Sequence, residues 1–208
     1  MIVSFENKFI FAAVPKTGTH AIRQALRPHL GPRDIEQVGL FVQKQFPIAE
    51  LARIGHGHIT LQQLRSHLPA EQFDSFFKFA FVRNPFDRFV SYCAFMTRGE
   101  GQFLAEPHRV MSHFIRNPPW QHILFVPQHV FITGPNGELL ADFVGRAERM
   151  QRWYDEVAQR IGVPTAQLET VNASERRDFR DYYTPPLIDA VARLYARDLQ
   201  IFGYEFDT

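Results

Sequence analysis

The segment Phe9-Ile-Phe-Ala-Ala-Val14 runs directly into Pro15-Lys-Thr-Gly-Thr-His20 and then into Ala21-Ile-Arg-Gln-Ala-Leu26. The first part is a short apolar run, the second a tight polar turn and the third a set of helix-forming residues, so the order predicts a strand, a loop and a helix start. The first turn of a helix has free N–H groups and a partial positive charge, which attract anions. The sequence therefore predicts a phosphate-like group at the carboxyl end of this strand, where open α/β sheets bind ligands.

The side chains of this loop also suit an anion. Gly18 lets the backbone come close to a bound group, and Lys16 supplies a full positive charge. Two hydroxyl donors flank the glycine, at Thr17 and Thr19. We therefore expect the loop to hold a phosphate or a group that resembles one.

The loop differs from the phosphate-binding loop of nucleoside triphosphatases. Their signature, G-x-x-x-x-G-K-[ST], has the lysine after the glycines, whereas Lys16 precedes Gly18 here. A kinase also needs an acidic residue after a later strand to hold its metal ion, but the second strong strand, Phe77–Val82, leads into Arg83. A small-molecule kinase with a degenerate phosphate loop is thus a disfavoured alternative, and two basic groups at strand ends indicate an anion handled without a metal.

Composition narrows the class of protein further. Among 208 residues, Lys plus Arg number 23 and Asp plus Glu 22, so the chain lacks the basic excess of a general nucleic-acid binder. The 45% hydrophobic content and 21 Phe are typical of a folded globular protein. The single cysteine, Cys93, favours a reducing compartment, and the six-residue apolar run Phe9–Val14 is too short for a membrane span. We predict a soluble cytoplasmic protein without a nucleic-acid or membrane partner.

Strands alternate with helical segments along the chain, which predicts an α/β fold with a three-layer, mainly parallel sheet. Asn136-Gly137 is a strong turn signal between two apolar runs, so we expect a β-hairpin near 130–144. Breakers surround a short helical piece in residues 99–125, which we interpret as an acceptor-facing insert. At 208 residues the chain is long enough for one domain with a sizeable core, so residues 1–208 are expected to form a single domain.

A second basic cluster follows the strand Phe77–Val82. Arg83 lies just beyond it, Asn84-Pro85 is a helix-start signal, and Ser91 lies two turns into the helix that follows. An arginine fork beside a hydroxyl near a helix start suits a dianionic phosphate. The alternative is that Arg83 pairs with Asp87 and that Ser91 only packs.

Together, these two motifs resemble those of sulfotransferases that use 3′-phosphoadenosine 5′-phosphosulfate (PAPS), in the carbohydrate or Golgi-type branch and its bacterial relatives. In that family a Pro-Lys-x-Gly-Thr-[Ser/Thr] loop binds the 5′-phosphosulfate. A segment Arg-[Asp/Asn]-Pro-x-x-Arg-x-x-Ser binds the 3′-phosphate through its first Arg and its Ser. The resemblance covers nearly the whole chain and implies a sheet of the P-loop nucleotide-binding type. It also implies PAPS as co-substrate, no metal, and a hydroxyl-bearing acceptor, with a carbohydrate expected.

The resemblance assigns roles to individual residues. Lys16 is expected to stabilise the charge that grows on the leaving phosphate oxygen. His20 departs from the family pattern, which has Ser or Thr there, and it either donates to the phosphosulfate or packs at the helix start. Arg146 lies where relatives have a segment near the nucleotide, although a salt bridge with Glu148 is an equal alternative. The expected donor-binding residues are Lys16, Thr17, Gly18, Thr19, His20, Arg83, Ser91 and Arg146.

Two histidines are candidates for the catalytic base. His56 and His58 are two residues apart, and in an extended segment they point to the same side. Histidine is the usual group with a pKa near neutrality. The uronyl 2-O-sulfotransferases have a similar His-Gly-His stretch in which the second His looks like the base. The resemblance thus implies His58 as base and His56 as a supporting or substrate-contacting residue.

Other interpretations of these residues stay open. A His-x-His pair binds metal on some strands, but no third ligand at useful spacing is evident in the sequence. His56 and His58 are otherwise two hydrogen-bonded structural histidines. A binding module that keeps the nucleotide pocket without turnover is a further alternative for the whole chain, with His20 as a sign of drift.

Overall fold

The chain forms two compact units, and each has its own core. A computed structural model describes residues 1–39, 43–99, 101–169 and 177–207. One unit comprises Met1–Val82 and Val130–Val171, and we call it the sheet unit. The other comprises Arg83–His129 and Asn172–Thr208, and we call it the helical unit. The prediction of one functional domain over 1–208 stays a prediction.

Strands and helices are interspersed along the sheet unit, as expected for an α/β fold, although the first two strands are consecutive and three short helices precede the fourth strand. Short 3₁₀ helices lie at Arg27–His29, Gln128–Phe131, Ala147–Arg149 and Phe179–Tyr182. In chain order the strands and α-helices of the described residues are β1 Ile2–Ser4, β2 Phe9–Ala12, α1 Thr19–Leu26, β3 Ile35–Glu36, α2 Ala49–Ala52, α3 Leu61–Arg65, α4 Ala70–Ser75, β4 Phe77–Val82, α5 Pro85–Met96, α6 Gln102–Ala105, α7 Pro107–Arg116, β5 Phe143–Arg146, α8 Met150–Ile161, α9 Pro185–Leu194 and α10 Ala196–Phe202.

The sheet is mixed rather than mainly parallel. Its strand order is β3-β1-β2-β4-β5, and only the pairs β2–β4 and β4–β5 are parallel. The strands β1 and β2 are joined by four residues, which is too short for the crossover that parallel strands need. They form an antiparallel hairpin, and β3 then pairs antiparallel with β1. The predicted parallel arrangement therefore holds for β2, β4 and β5, whose carboxyl ends share one edge.

The predicted β-hairpin near 130–144 is wrong in extent. It is reduced to one bridge, between Thr133 and Leu139, around the expected turn. On one side, residues 128–131 curl into a 3₁₀ helix. On the other, Phe143 and Val144 are paired with β4, so their backbone groups have a different partner. The turn signal was correct, but the strands on either side of it were not.

Aromatic side chains fill the core of the sheet unit. Phe11 on β2 lies opposite Phe79 on β4, and their rings stack at 5.2 Å between centroids. Ile22 and Leu26 of α1 and Tyr154 of α8 pack in the same buried cluster. This packing fixes α1 and α8 against one face of the sheet, so the loop between β2 and α1 begins and ends on rigid elements.

The helical unit is built on α5. Its start is as predicted, because the Asn84 side chain caps the helix by accepting from the N–H of Phe86, and Pro85 takes the first helical position. Phe89 and Cys93 of α5 lie in a buried cluster with residues of α7 and α9. The segment 99–125, predicted as a loop-rich insert with one helical piece, contains α6 and α7 among its described residues.

No helix among the described residues is long and apolar enough to cross a membrane.

Candidate functional site

The loop that follows β2 has an unusual backbone. Lys16 has a φ of 65° and Gly18 a φ of 77°, so two nearby residues adopt the left-handed conformation. Glycine does this without cost, but a lysine does so only when its surroundings enforce it. Gly18 is exposed, and Lys16 is partly exposed. The turn therefore presents its backbone to solvent just before α1, where an anion is expected.

One of the predicted hydroxyl donors of the loop already donates a hydrogen bond within the protein. Thr17 is buried, and its Oγ1 donates to the carbonyl oxygen of Val14 at 2.9 Å. A hydroxyl has a single proton to donate, so in this structure Thr17 offers an anion its backbone N–H rather than its side chain. Thr19 and His20, both partly exposed, begin α1.

Gly18 is required by its backbone conformation, and it also lies against a neighbouring side chain. A Cβ at this position would collide with the Cε of Met150, the first residue of α8, and would lie 3.0 Å from its Sδ. The thioether thus packs directly under the turn. Because these atoms are at the far end of a flexible side chain, the thioether can turn away, and the positive φ remains the main restriction at position 18.

The sheet unit brings the predicted base to the predicted anion loop. His58 is buried, and its Nδ1 lies 2.7 Å from the carbonyl oxygen of Ala13, two residues before Pro15. A carbonyl oxygen only accepts, so Nδ1 carries the proton and Nε2 keeps its lone pair. The ring of Phe131 meets the imidazole edge to face. His58 is thus held in the tautomer that a general base needs.

His56 is held in the opposite tautomer. The backbone N–H of His58 donates to the Nδ1 of His56 at 3.2 Å, so in the neutral ring Nε2 carries the proton. This half-buried side chain can donate a hydrogen bond through Nε2 but cannot accept a proton there. The two histidines therefore differ in what they can do, which the sequence alone left open.

Both imidazoles favour the neutral form. Burial lowers the pKa of His58 to about 3, and the hydrogen bond to Ala13 opposes this shift while the Arg23 charge adds to it. Burial also lowers the pKa of His56. His58 without ligands is consequently a weak base, and its environment must change before it can take a proton efficiently.

Two buried polar residues that sequence reasoning missed hold the His-Gly-His loop. Arg23 of α1 donates its Nη2 to the carbonyl oxygen of Gly57 at 3.0 Å, and a Cβ on Gly57 would come within 2.5 Å of that nitrogen. Gln37 donates to the carbonyl oxygen of His56 at 2.9 Å. The glycine between the two histidines was one signal in the sequence, because a glycine often marks a close approach of another group to the backbone. The other was the position of Arg23 next to Ile22 on the buried side of α1.

Arg146 lies at the same edge of the sheet as the loop. It is the last residue of β5, and its register partner is Val82, the last residue of β4. Because β2, β4 and β5 are parallel, their carboxyl ends all point to this edge. The structure thus groups Arg146, the 15–20 loop and His58 within the sheet unit.

In the helical unit, Arg83 pairs with Asp87, as the alternative interpretation of this cluster predicted. Nε of Arg83 lies 2.6 Å and Nη2 2.5 Å from Oδ2 of the carboxylate. A guanidinium has five N–H donors, and this pair does not involve Nη1. Ser91, one turn after Asp87, is partly exposed on α5. The ion pair fixes the direction of the arginine fork.

Arg88 does not join this cluster as a second anion ligand. It is 1% exposed, and its Nη2 donates to the carbonyl oxygens of Leu124 and Val126 at 3.0 and 2.7 Å. Burial lowers the pKa of Arg88, and Tyr195 and Asp198 oppose that shift. The second arginine of the motif is therefore an internal tie of the helical unit.

No group of three or more His, Cys, Asp or Glu suitable for a metal ion occurs within the residues that the structure describes.

A family model described as the sulfotransferase family matches residues 1–100. This stretch contains the loop 15–20, the segment 55–58 and the segment 83–91. The match covers 100 of the 208 residues, and this part of the chain is similar to the sulfotransferase family. No curated protein and no solved structure matches the chain.

The match confirms the resemblance at the level of the sulfotransferase family. Sulfuryl transfer to a hydroxyl-bearing acceptor is the activity of that class. Arg146 lies outside the matched residues, so its assignment rests on its position at the sheet edge and on the motif around it.

Proposed function

We propose that the protein transfers a sulfuryl group from PAPS to a hydroxyl on a carbohydrate. The observation that carries the proposal is the 2.7 Å hydrogen bond between Nδ1 of His58 and the carbonyl oxygen of Ala13. It joins a histidine with a free Nε2 lone pair to the strand end that leads into the anion loop. A base and an anion cradle side by side are what transfer from an anionic donor to a hydroxyl requires.

In the proposed step, Nε2 of His58 accepts the proton of the acceptor hydroxyl as the oxygen attacks sulfur. The new oxygen–sulfur bond forms while the bond between sulfur and the phosphate oxygen breaks. Lys16 and the N–H groups at the start of α1 stabilise the charge that grows on that phosphate oxygen. Adenosine 3′,5′-bisphosphate leaves with the former bond's electron pair.

The low pKa of His58 fits this scheme when the donor is bound. A phosphosulfate at residues 15–20 brings negative charge next to the strand end that holds the imidazole. Nearby negative charge raises a histidine pKa towards the range in which it is an effective base. His56, which carries its proton on Nε2, is proposed to donate to the acceptor or to the sulfuryl oxygens.

The 3′-phosphate of the donor is assigned to Arg83 and Ser91. The support is the motif from Arg83 to Ser91 within the matched family residues, together with a guanidinium held in a fixed direction by Asp87. Arg146, Thr17, Gly18, Thr19 and His20 complete the proposed donor contacts. The carbohydrate acceptor is proposed from the His-Gly-His stretch, which is similar to that of uronyl 2-O-sulfotransferases.

The proposal is tested by incubating the full chain with sulfur-labelled PAPS and a panel of uronic-acid sugars, neutral sugars, phenols and simple alcohols. We expect label to appear on a sugar and adenosine 3′,5′-bisphosphate to accumulate in equal amount. Label on phenols alone would overturn the carbohydrate assignment. Tight bisphosphate binding without transfer to any acceptor would instead indicate a non-catalytic module, and magnesium-dependent phosphate transfer from ATP would indicate a kinase.

A further inference from the structure

A buried glutamine in the helical unit forms hydrogen bonds to the backbone of Arg83. Gln128 is 0% exposed, and its side-chain amide makes two hydrogen bonds to the same residue. The N–H of Arg83 donates to Oε1 at 2.9 Å, and Nε2 donates to the carbonyl oxygen of Arg83 at 2.8 Å. β4 ends at Val82, so Arg83 lies beyond the strand, and the amide gives it the pair of bonds that a neighbouring strand would give.

A buried carboxylate holds the glutamine in turn. Asp198 of α10 is 0% exposed and accepts from the N–H of Gln128 at 2.7 Å and from the N–H of His129 at 2.9 Å. Its Oδ1 also lies 2.6 Å from Nδ1 of His129. These bonds occupy the carboxylate, whose charge also acts on the buried Arg88. A charge this deep is tolerated only with such partners.

Asp198 and Gln128 connect the interior of the helical unit to Arg83 through successive hydrogen bonds. Asp198 fixes the backbone at residue 128, the side chain at 128 fixes the backbone of Arg83, and Asp87 fixes its guanidinium. A ligand-binding side chain is precise only if its backbone and rotamer are both held. Packing alone does not explain the glutamine, because an apolar side chain would fill the same space but leave the backbone N–H and C=O of Arg83 without these partners.

We propose that Gln128 and Asp198 are positioning residues that set Arg83 for the 3′-phosphate of the donor nucleotide. Neither side chain touches the nucleotide, and both act through the backbone of Arg83. This inference rests on the proposed function, because it presumes that Arg83 binds the 3′-phosphate. It predicts a loss of affinity confined to ligands that carry that phosphate.

The test uses the full chain and calorimetry with two ligands, adenosine 3′,5′-bisphosphate and adenosine 5′-phosphate. Gln128→Met keeps the side-chain length and the backbone bonds to Asp198 but removes both bonds to Arg83. We expect it to weaken binding of the bisphosphate about tenfold and of the monophosphate less than about twofold. Gln151→Met is the matched control, because it also removes side-chain hydrogen bonds to backbone, at Ala166 and Leu168, and should leave both affinities unchanged.

A double-mutant cycle separates positioning from a general loss of structure. If Gln128 acts only through Arg83, then Gln128→Met added to Arg83→Ala should weaken bisphosphate binding no further. If the double variant instead weakens bisphosphate binding by the product of the two single-variant factors, the inference is overturned. An equal loss for both ligands in Gln128→Met would also overturn it, since it would mark a structural role.

A second variant decides the matter if Gln128→Met does not fold. Asp198→Asn keeps the shape and one acceptor oxygen, and it should give a smaller loss with the same selectivity for the bisphosphate. If the wild type binds the two nucleotides equally, the 3′-phosphate assignment fails, and the inference falls with it. A different result would overturn the inference alone. In that result the wild type binds the bisphosphate more tightly than the monophosphate, Arg83→Ala removes this difference, and neither Gln128→Met nor Asp198→Asn changes it.

Discussion

At Lys16 the backbone takes a left-handed turn that a lysine adopts only at a cost of about 1 kcal/mol or more. The same conformation at Gly18 costs nothing, so the turn could have been built from two glycines. A lysine at the strained position is explained if its charge is needed there. Local strain at a predicted binding loop thus agrees with the anion role proposed for this side chain.

Replacing Lys16 with glycine separates the charge from the backbone. Lys16→Gly keeps the left-handed turn without strain, so the free energy of unfolding in urea should change by no more than about 1 kcal/mol. Its affinity for adenosine 3′,5′-bisphosphate should fall at least about tenfold in calorimetry. Lys8→Gly is the matched control, because Lys8 is exposed and also has a positive φ. An unchanged affinity in Lys16→Gly would remove this lysine from the site.

The base is tested with a variant that keeps the hydrogen bond to Ala13. Asparagine places an amide N–H where Nδ1 lies, so His58→Asn preserves that bond and removes the Nε2 lone pair. Turnover with labelled PAPS should fall by about 100-fold or more, which is typical for loss of a general base. Binding of adenosine 3′,5′-bisphosphate should stay within about twofold of the wild type. Substantial residual turnover would transfer the role of base to another group.

At the scale of elements, the contact between the loop and α8 adds a small steric restriction to the one that the positive φ of Gly18 imposes. Gly18→Ala combines a positive φ with a collision against Met150, whereas Gly162→Ala has a similar φ and open space around it. We expect both to lower the free energy of unfolding, by about 1 kcal/mol for Gly162→Ala and by slightly more for Gly18→Ala, because the end of the Met150 side chain must also move. Urea unfolding measures the difference.

Truncating the partner side chain checks the cause of that difference. In the double variant Gly18→Ala with Met150→Ala, the collision is gone, so the cost relative to Met150→Ala alone should fall to that of Gly162→Ala. If Gly18→Ala and Gly162→Ala destabilise equally from the start, the packing of Met150 under the turn is not what position 18 requires.

Elements with strong local signals were predictable from the sequence. The order of strand, loop and helix over residues 9–26 and the Asn84 cap agree with the structure. The strands around Asn136-Gly137 were predicted wrongly, because Phe143 finds its partner far away in β4. Pairing between distant segments is set by tertiary packing, which local propensity does not contain.

The candidate site was predictable where chemistry follows a motif, and not where it depends on long-range contacts. The sequence indicated Lys16, His58 and Arg83 as candidate residues. It did not indicate Gln128, because a glutamine 45 residues from its partner has no local signature. Nor did it specify the tautomers of His56 and His58, which depend on one carbonyl and one N–H.

For the whole molecule, the buried histidine predicts a loss of stability in acid. The pKa of His58 is about 3 when folded, below its ordinary value of 6.5, so the unfolded chain binds more protons between these pH values. The free energy of unfolding therefore falls as the pH falls from 6.5 towards 3. Between pH 7 and pH 5 the contribution of His58 is about 2 kcal/mol.

Urea unfolding of the wild type and of His58→Asn at pH 7 and pH 5 measures this contribution. The variant lacks the titrating group, so its stability should fall less on acidification than that of the wild type. His56, whose pKa burial also lowers, leaves a dependence of the same sign in both proteins. Equal acid sensitivity of the two would mean that folding does not lower the pKa of His58.

The sole cysteine of the chain gives the protein an internal reporter of its own opening. Cys93 is completely buried on α5, and burial raises the pKa of its thiol, so a thiol-reactive dye should label the native protein only when that helix is transiently exposed. No competing thiol exists to blur the signal. Arg83 immediately precedes this helix, and Ser91 lies in it. If adenosine 3′,5′-bisphosphate binds there, adding it should slow the labelling of Cys93, so binding can be measured without an engineered probe.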